Sequence, residues 1–177
     1  MKSIVENKDK QKLLTSIAVP LIGGAIVGAL ATTSAKAKYR NMQTPTFSPP
    51  SWAFPVAWTS LYTLMGVAKY QFDKHPKASN LQTAGNATYT TQLGFNFLWS
   101  FLFFRWNLRG TALVDASLLW TAVTLNTYYF YRGSKLAGSL MIPYAGWTTY
   151  AVALNYATWK MNRGRHTEHY TMNGLIK

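Results

Sequence analysis

Charged positions are absent from five long stretches of the chain and concentrate in the segments between them. The stretches are 13–31, 52–68, 78–104, 110–131 and 136–159. Asp115 is the one formal charge that they contain. A helix on the surface of a water-soluble domain carries charge along one face, whereas a membrane-spanning helix needs about 20 predominantly apolar residues. The pattern therefore predicts an all-α fold, an integral membrane bundle of five transmembrane helices.

The stretches also define the expected domain organisation. A basic N-terminal tail, residues 1–12, precedes a five-helix transmembrane domain, 13–160, and a C-terminal tail, 161–177, follows it. The predicted spans are about 13–31, 52–70, 84–104, 110–132 and 136–159. The first stretch has 19 uncharged residues, more than the usual 7–15 or so of a signal-peptide core, so it is expected to remain as a helix. Its Gly24-x-x-x-Gly28 pair favours close helix packing within the chain over a dimer contact.

The charge balance is strongly basic. The chain has 18 Lys and Arg against 5 Asp and Glu, a net charge of +13, and no cysteine. The basic residues divide nine and nine between the two sides of a five-span topology, so they predict no orientation. They indicate that both rims attract anionic lipid headgroups. Nucleic acid is not an expected partner, because no basic helix or basic-aromatic stripe lies outside the spans.

Catalytic chemistry is poorly represented inside the predicted spans. His75, His166 and His169 all lie outside them, which disfavours a Ser-His-Asp triad, a zinc site or a histidine-ligated haem. Asp115 has no second membrane carboxylate with which to pair. Its position near the start of a helix favours a structural role, as dipole partner or loop clasp, with a proton or ion relay as the alternative. We predict no catalytic residue, no metal site and no obligatory cofactor.

Aromatic residues form stripes on three predicted helices. The chain has seven tryptophans and eleven tyrosines. Pairs or triplets that share a helical face are Trp58 with Tyr62, Asn96 with Trp99, and Trp147 with Ala151 and Leu154. Helix packing explains each stripe alone. Together they indicate a pocket for a flat, largely apolar ligand with a few polar atoms.

The loop 32–51 is the longest between spans and ends in the rigid pair Pro49-Pro50. Neither proline donates a backbone hydrogen bond, and each disfavours helix in the residue before it. The loop is consistent with a lid over the pocket or with a loop on the membrane surface. The sequence leaves both open.

Five motifs, in order along the chain, carry a family resemblance. They are Pro49-Pro50-x-Trp52-x-Phe54-Pro55-x-x-Trp58-x-x-Leu61-Tyr62, Gln92-Leu93-x-x-Asn96-x-x-Trp99-x-x-x-Phe103-Phe104, Ala112-Leu113-Val114-Asp115, Pro143-Tyr144-x-x-Trp147 and Leu154-Asn155-Tyr156. The chain from Tyr39 to Asn162 resembles the tryptophan-rich sensory protein, or translocator protein, family. The resemblance implies the same five-helix membrane bundle.

The resemblance also implies what the pocket holds. Members bind tetrapyrroles such as protoporphyrin and haem, and some bind cholesterol and synthetic drug-like ligands. They lie in bacterial membranes or the mitochondrial outer membrane, often as homodimers, and a bacterial plasma membrane is the expectation here. Carried onto matching positions, the ligand-binding residues are Trp52, Phe54, Trp58, Tyr62, Asn96, Trp99, Leu118, Trp147, Ala151 and Leu154.

Two departures from the family pattern concern the first loop. The chain has Lys38-Tyr39 where the family often has Trp-Tyr, and Thr44-Pro45-x-Phe47 where it often has Lys-Pro-x-Trp. Some relatives degrade bound porphyrin in light with the help of tryptophan, so these losses favour binding over degradation. Leu154, Tyr156 and Lys160 also fit a proposed sterol pattern, although a tyrosine and a lysine at a helix end are common membrane-belt residues.

The sequence therefore predicts a sensor or carrier that binds porphyrin or haem, a planar apolar guest, in an aromatic pocket within the lipid membrane. A light-dependent porphyrin-degrading enzyme is one alternative. A structural or transport module that binds only lipid is the other.

Overall fold

The structure, a computed structural model, describes residues 2–33 and 42–163. Those residues contain five long helices, and a π-helical turn, Phe101–Arg105, continues the third. The helices are α1 (Lys2–Thr32), α2 (Ala53–Lys74), α3 (Ser79–Ser100), α4 (Arg109–Gly133) and α5 (Lys135–Asn162). The predicted all-α, five-helix fold is confirmed. Lys38-Tyr39 and the part of the predicted C-terminal tail beyond Arg163 lie outside the described residues.

Every helix is long enough to cross a bilayer. The shortest have 22 residues, which at 1.5 Å per residue is about 33 Å against a hydrocarbon core of about 30 Å. Within the described part of the chain, one helical segment, Glu6–Thr32, also has the composition of a membrane span. The other helices are less apolar because they carry polar side chains that the bundle buries, among them Gln92, Asn96, Asn126, Thr148 and Asn155.

The bundle buries polar side chains among its apolar core and exposes large apolar ones on its outer surface. Large apolar side chains stand on the outer surface of every helix, and α1 alone exposes Leu14, Val19, Ile22, Ile26 and Leu30. In water such a surface marks a site of association, whereas in lipid it faces the acyl chains. Several interior amides and hydroxyls, among them those of Asn96, Tyr144 and Asn155, find partners within the protein, as a membrane bundle requires.

The helices pack as a ring in the order α1, α2, α5, α4, α3. The most extensive contact is between α4 and α5, whereas α1 touches α3 and the π-helical turn only lightly. At one end of the bundle, the aromatic rings of Phe72 and Phe130 stack with centroids 4.4 Å apart. The ring of Tyr89 also stacks on Phe130, at 5.9 Å. Side chains therefore fill the interior between these helices at this end of the bundle.

The residues predicted as a basic N-terminal tail form the first part of helix α1. Their Lys, Glu and Gln side chains favour helix, and Glu6 pairs with Lys10 one turn away at 2.8 Å. Asp9 also lies 3.7 Å from the ammonium of Lys74, at the end of α2. The helical extension therefore reaches the same rim as the α2–α3 connection.

The crossing of α1 and α2 depends on Gly66. A Cβ at this position would lie 2.5 Å from the Cα of Ile17 and 2.6 Å from the carbonyl oxygen of Ser16. Both atoms belong to the α1 backbone, so relief requires the whole helix to move. We expect Gly66→Ala to lower the free energy of unfolding by about 1–3 kcal/mol, measured by thermal unfolding in detergent.

Gly94→Ala is the matched control for that prediction, because nothing lies within 4 Å of the Cβ it would add. It replaces glycine by alanine in α3, and a small stabilisation is expected from helix propensity. Equal melting temperatures for the two variants would contradict a backbone contact at Gly66.

Candidate functional site

Aromatic side chains from three helices of the bundle enclose a small cavity, which we call the aromatic cavity. Helix α2 contributes Phe54 and Trp58, α3 and its π-helical turn contribute Trp99 and two phenylalanines, and α5 contributes the rest. The lining residues are Phe54, Trp58, Trp99, Phe103, Phe104, Trp147, Tyr150, Ala151, Leu154 and Asn155. Six of the ten predicted ligand-binding residues meet here.

The rings contact one another mostly edge to face, a favourable arrangement for aromatic pairs. Trp147 lies edge-on to Trp58 and to Phe54, with centroids 6.4 and 6.3 Å apart. On the α3 side, Trp99 stacks on Phe103 at 5.2 Å and meets Phe104 edge-on at 5.6 Å. The walls are therefore flat, rigid and apolar.

The π-helical turn places two consecutive phenylalanines beside Trp99. In this turn the backbone N–H of Trp106 donates to the carbonyl of Phe101, five residues back, at 2.9 Å. The wider turn rotates the chain by less than an α-helix does, and such turns occur often at functional sites. As a result Phe103 and Phe104 both line the aromatic cavity. The chain then reverses at Asn107, whose φ is 60°, a conformation that asparagine tolerates well.

The Trp99 indole and the Asn155 amide hold the side of the cavity that α3 forms. The indole N–H of Trp99 donates to Oδ1 of Asn155 at 3.1 Å, and Nδ2 of Asn155 donates to the carbonyl of Arg109 at 2.9 Å. Asn155 thereby joins α3, α5 and the start of α4. The orientation of the Trp99 ring follows from this chain of bonds and not from ring packing alone.

Asn96 lies behind the cavity wall, not on it. It is 1% exposed, accepts a hydrogen bond from the hydroxyl of Tyr62 at 2.6 Å and donates to the hydroxyl of Tyr144 at 3.1 Å. The Tyr62 ring stacks on Trp58 at 5.4 Å. Asn96 therefore positions Tyr62 and, through it, Trp58.

The enclosed space is small, and a larger space adjoins it. The aromatic cavity has a volume of about 20 Å³, room for one water. A second space of about 350 Å³ lies between α1 and α2, and we call it the α1–α2 groove. Phe54, Trp58 and Phe104 line both, so these three side chains form the partition. Tyr62, the seventh predicted residue to line a space, faces the groove.

Besides Asn96, two predicted ligand-binding residues line neither space. Trp52 precedes α2 and is 67% exposed, and Leu118 is 49% exposed on α4. Buried Ala112, Ala116, Leu119 and Val123 follow the helical repeat and define the inward face of α4. Leu118 is one residue, about 100° of helix rotation, from Leu119, so it points away from the cavity.

The sterol-pattern residues do not share one surface. Leu154 lines the aromatic cavity, whereas Tyr156 is 48% exposed on the outside of α5 and Lys160, one turn further, is exposed as well. The ring of Tyr156 lies 6.2 Å from that of Trp159. Tyr156 and Lys160 thus occupy the positions expected of membrane-belt residues.

The described end of the first loop is attached to α5. Asn162 bonds both backbone groups of Gln43, at 3.1 and 2.9 Å, and the hydroxyl of Tyr150 donates to the carbonyl of Phe47 at 2.8 Å. The Phe47 ring also lies edge-on to that of Tyr150, 6.2 Å away. Because Tyr150 lines the aromatic cavity, one side chain touches both the loop and the cavity.

Asp115 is buried in the second turn of α4. It is 5% exposed, and its Oδ2 accepts no hydrogen bond from any described residue. It does not line the aromatic cavity or the groove. The predicted choice between a structural role and a relay stays open.

Four lining residues were not among those predicted: Phe103, Phe104, Tyr150 and Asn155. Spacing gave a signal for three of them. Phe103 follows Trp99 by four residues, Tyr150 follows Trp147 by three and Asn155 follows Ala151 by four, so each shares a helical face with a predicted residue. Phe104 depends on the π-helical turn, which helical spacing does not anticipate.

Comparison with known proteins identifies the family. Residues 16–160 match the TspO/MBR family. This protein belongs to that family. It is 39% identical to the tryptophan-rich protein TspO of Archaeoglobus fulgidus over 151 residues, which cover 85% of this chain and 97% of the relative.

Two other TspO/MBR relatives are a bacterial and a human protein. The tryptophan-rich sensory protein of Cereibacter sphaeroides is 37% identical over 80% of this chain and 89% of its own. The human translocator protein is 34% identical over 71% of this chain and 75% of its own. The five-helix fold is thus that of a TspO/MBR membrane protein, with relatives in bacteria and mammals.

Proposed function

We propose that this TspO/MBR protein binds a planar, largely apolar tetrapyrrole between α2, α3 and α5 and acts as its sensor or carrier. The observation that carries the proposal is the convergence of Trp58, Trp99 and Trp147 on one cavity, with Ala151 leaving room among them. Flat aromatic walls with few polar groups suit a flat aromatic guest. The names of the relatives support a sensory or translocating role.

Binding of such a guest requires the cavity to open. A macrocycle is far larger than the 20 Å³ now enclosed, but the groove beyond Phe54, Trp58 and Phe104 adds about 350 Å³. Because these three side chains line both spaces, we expect their rotation to join the two. In this proposal the macrocycle lies across the partition, and basic rim residues meet its carboxylates.

The direct test is a titration of purified, detergent-solubilised protein with protoporphyrin, followed by tryptophan fluorescence. Saturable quenching that weakens in Trp147→Phe supports the proposal, because Trp147 contacts Trp58 across the cavity. Quenching that rises linearly without saturation would reject it and would favour a lipid-binding module.

Iron is expected to add little affinity. The described part of the chain contains one histidine, His75, which ends α2 at the rim and does not line the aromatic cavity. Stacking and carboxylate contacts are common to haem and metal-free protoporphyrin, so their Kd values should agree within about threefold, or 0.7 kcal/mol. Parallel titrations with the two compounds measure the ratio, and a tenfold preference for haem would contradict this account.

The enzyme alternative has a specific observation behind it. Trp58 and Trp147 lie together at the cavity, where an excited porphyrin and oxygen could oxidise an indole or the macrocycle. Illumination in air, with matched dark and oxygen-free samples, tests it. Loss of the porphyrin absorption band faster than in protein-free solution, and slowed in Trp147→Phe, would favour the enzyme.

A further inference from the structure

The α1–α2 groove differs from the aromatic cavity in that it opens to the outside of the bundle. Its α1 side consists mostly of small residues, including Gly24, Ala25, Gly28 and Ala29. Ala25 and Ala29, together with Pro55 and Thr59 on α2, are exposed. An opening between two membrane-spanning helices faces lipid acyl chains, so lipid has direct access to this space.

The groove also has a direction. It extends along α1 from Leu21 to Thr32, eleven residues, or about 17 Å of helix. Tyr62 lies near its inner end, whereas Thr32, Pro55 and Phe104 lie near its outer end. That outer end is at the rim where α1 and α3 finish and α2 begins.

A positive charge stands at the outer end. Arg105 follows Phe104 directly, and its Nη1 donates to the hydroxyl of Thr33 at 3.1 Å. Trp106, next in sequence, is 53% exposed, as expected of a tryptophan at the headgroup level. An arginine at this depth attracts anionic headgroups by about 1 kcal/mol.

We propose that the α1–α2 groove binds one acyl chain of an anionic phospholipid, whose headgroup lies against Arg105. The tail fills the space over the small residues of α1 and contacts the outer faces of Phe54 and Trp58. The small side chains are what leave the groove wide enough. This inference does not rest on the proposed function, but the macrocycle proposed above would occupy part of the same groove, so lipid and porphyrin are expected to compete for it.

The test counts lipids on the full-length protein by native mass spectrometry. The probes are phosphatidylglycerol and phosphatidylcholine with identical acyl chains. Wild-type protein should retain phosphatidylglycerol about fivefold more strongly than phosphatidylcholine, the ratio that 1 kcal/mol produces. Arg105→Gln should bind the two lipids equally.

Gly28→Leu tests the location of the bound lipid. Nothing lies within 4 Å of a Cβ at Gly28, and Gly28 lines the groove, so a leucine side chain is expected to occupy the groove and bound phosphatidylglycerol should be lost. Gly94→Leu, at an equally open position on α3, should retain it.

Three results would overturn the proposal. They are equal retention of both lipids by wild-type protein, an unchanged preference in Arg105→Gln, and equal lipid counts for Gly28→Leu and Gly94→Leu. Matching melting temperatures for the two glycine variants exclude misfolding as the cause of a lost lipid.

Discussion

Replacing Ala151 with leucine is expected to weaken protoporphyrin binding at least thirtyfold, about 2 kcal/mol. Ala151 lines the aromatic cavity together with Trp147 and Leu154. The enclosed volume is only about 20 Å³, so the extra atoms of leucine occupy the place that the guest needs. Overpacking costs increase further when the surrounding rings are rigid.

The measurement is the tryptophan-quenching titration, with Ala153→Leu as control. Ala153 lies on the same helix but is exposed on its outer face, where leucine meets lipid. Wild-type affinity in Ala153→Leu and lost affinity in Ala151→Leu assign the effect to the cavity. Undiminished binding by Ala151→Leu would place the guest elsewhere.

The number of helices and their positions along the chain could be predicted because lipid excludes charge more strictly than water excludes apolar residues. Asp115 is the single exception within the uncharged stretches. Helix ends beyond the membrane obey weaker rules. The lysine-rich start of α1 is helical because of local propensity, an i,i+4 ion pair and a contact with Lys74, and the charge pattern shows only that it lies outside the span.

The composition of the site could be predicted only as far as helical spacing reaches. Trp58, Trp99, Trp147 and Ala151 share faces with other polar or aromatic residues, and the fold brings those faces together. Leu118 does not line the cavity, because a family resemblance assigns a residue to a position in the sequence but does not give the rotation of its helix. Phe104 was not predicted to line the cavity, because the π-helical turn changes the rotation of the chain locally.

The volume of the site could not be predicted from the sequence at all. It depends on side-chain rotamers at the partition, where Phe54, Trp58 and Phe104 divide the space unequally. The surroundings of Asn96 could not be predicted either. It was among the predicted ligand-binding residues, whereas in the structure its Oδ1 and one of its N–H groups bond to two tyrosines inside the bundle.

This placement of Asn96 leads to the second large expected effect. We expect Asn96→Leu to lower the free energy of unfolding by about 2–4 kcal/mol, because it leaves the buried hydroxyls of Tyr62 and Tyr144 without their Asn96 partner. Each lost bond costs about 1–2 kcal/mol where no water can replace it. Thermal unfolding in detergent measures the loss. Protoporphyrin affinity should fall with it, since Tyr62 supports Trp58.

Asn86→Leu is the matched control, the same substitution on the same helix. Asn86 is half-buried, and its Oδ1 has no hydrogen-bond partner among the described residues, so the change removes no bond there and should be nearly neutral. A double-mutant cycle of Asn96→Leu with Tyr62→Phe then isolates the 2.6 Å bond. A coupling energy near zero, or equal losses for the two asparagine variants, would mean that Asn96 fills space and does not position Tyr62. A coupling energy of about 1 kcal/mol accompanied by reduced quenching would show that a buried amide sets the geometry of the aromatic wall.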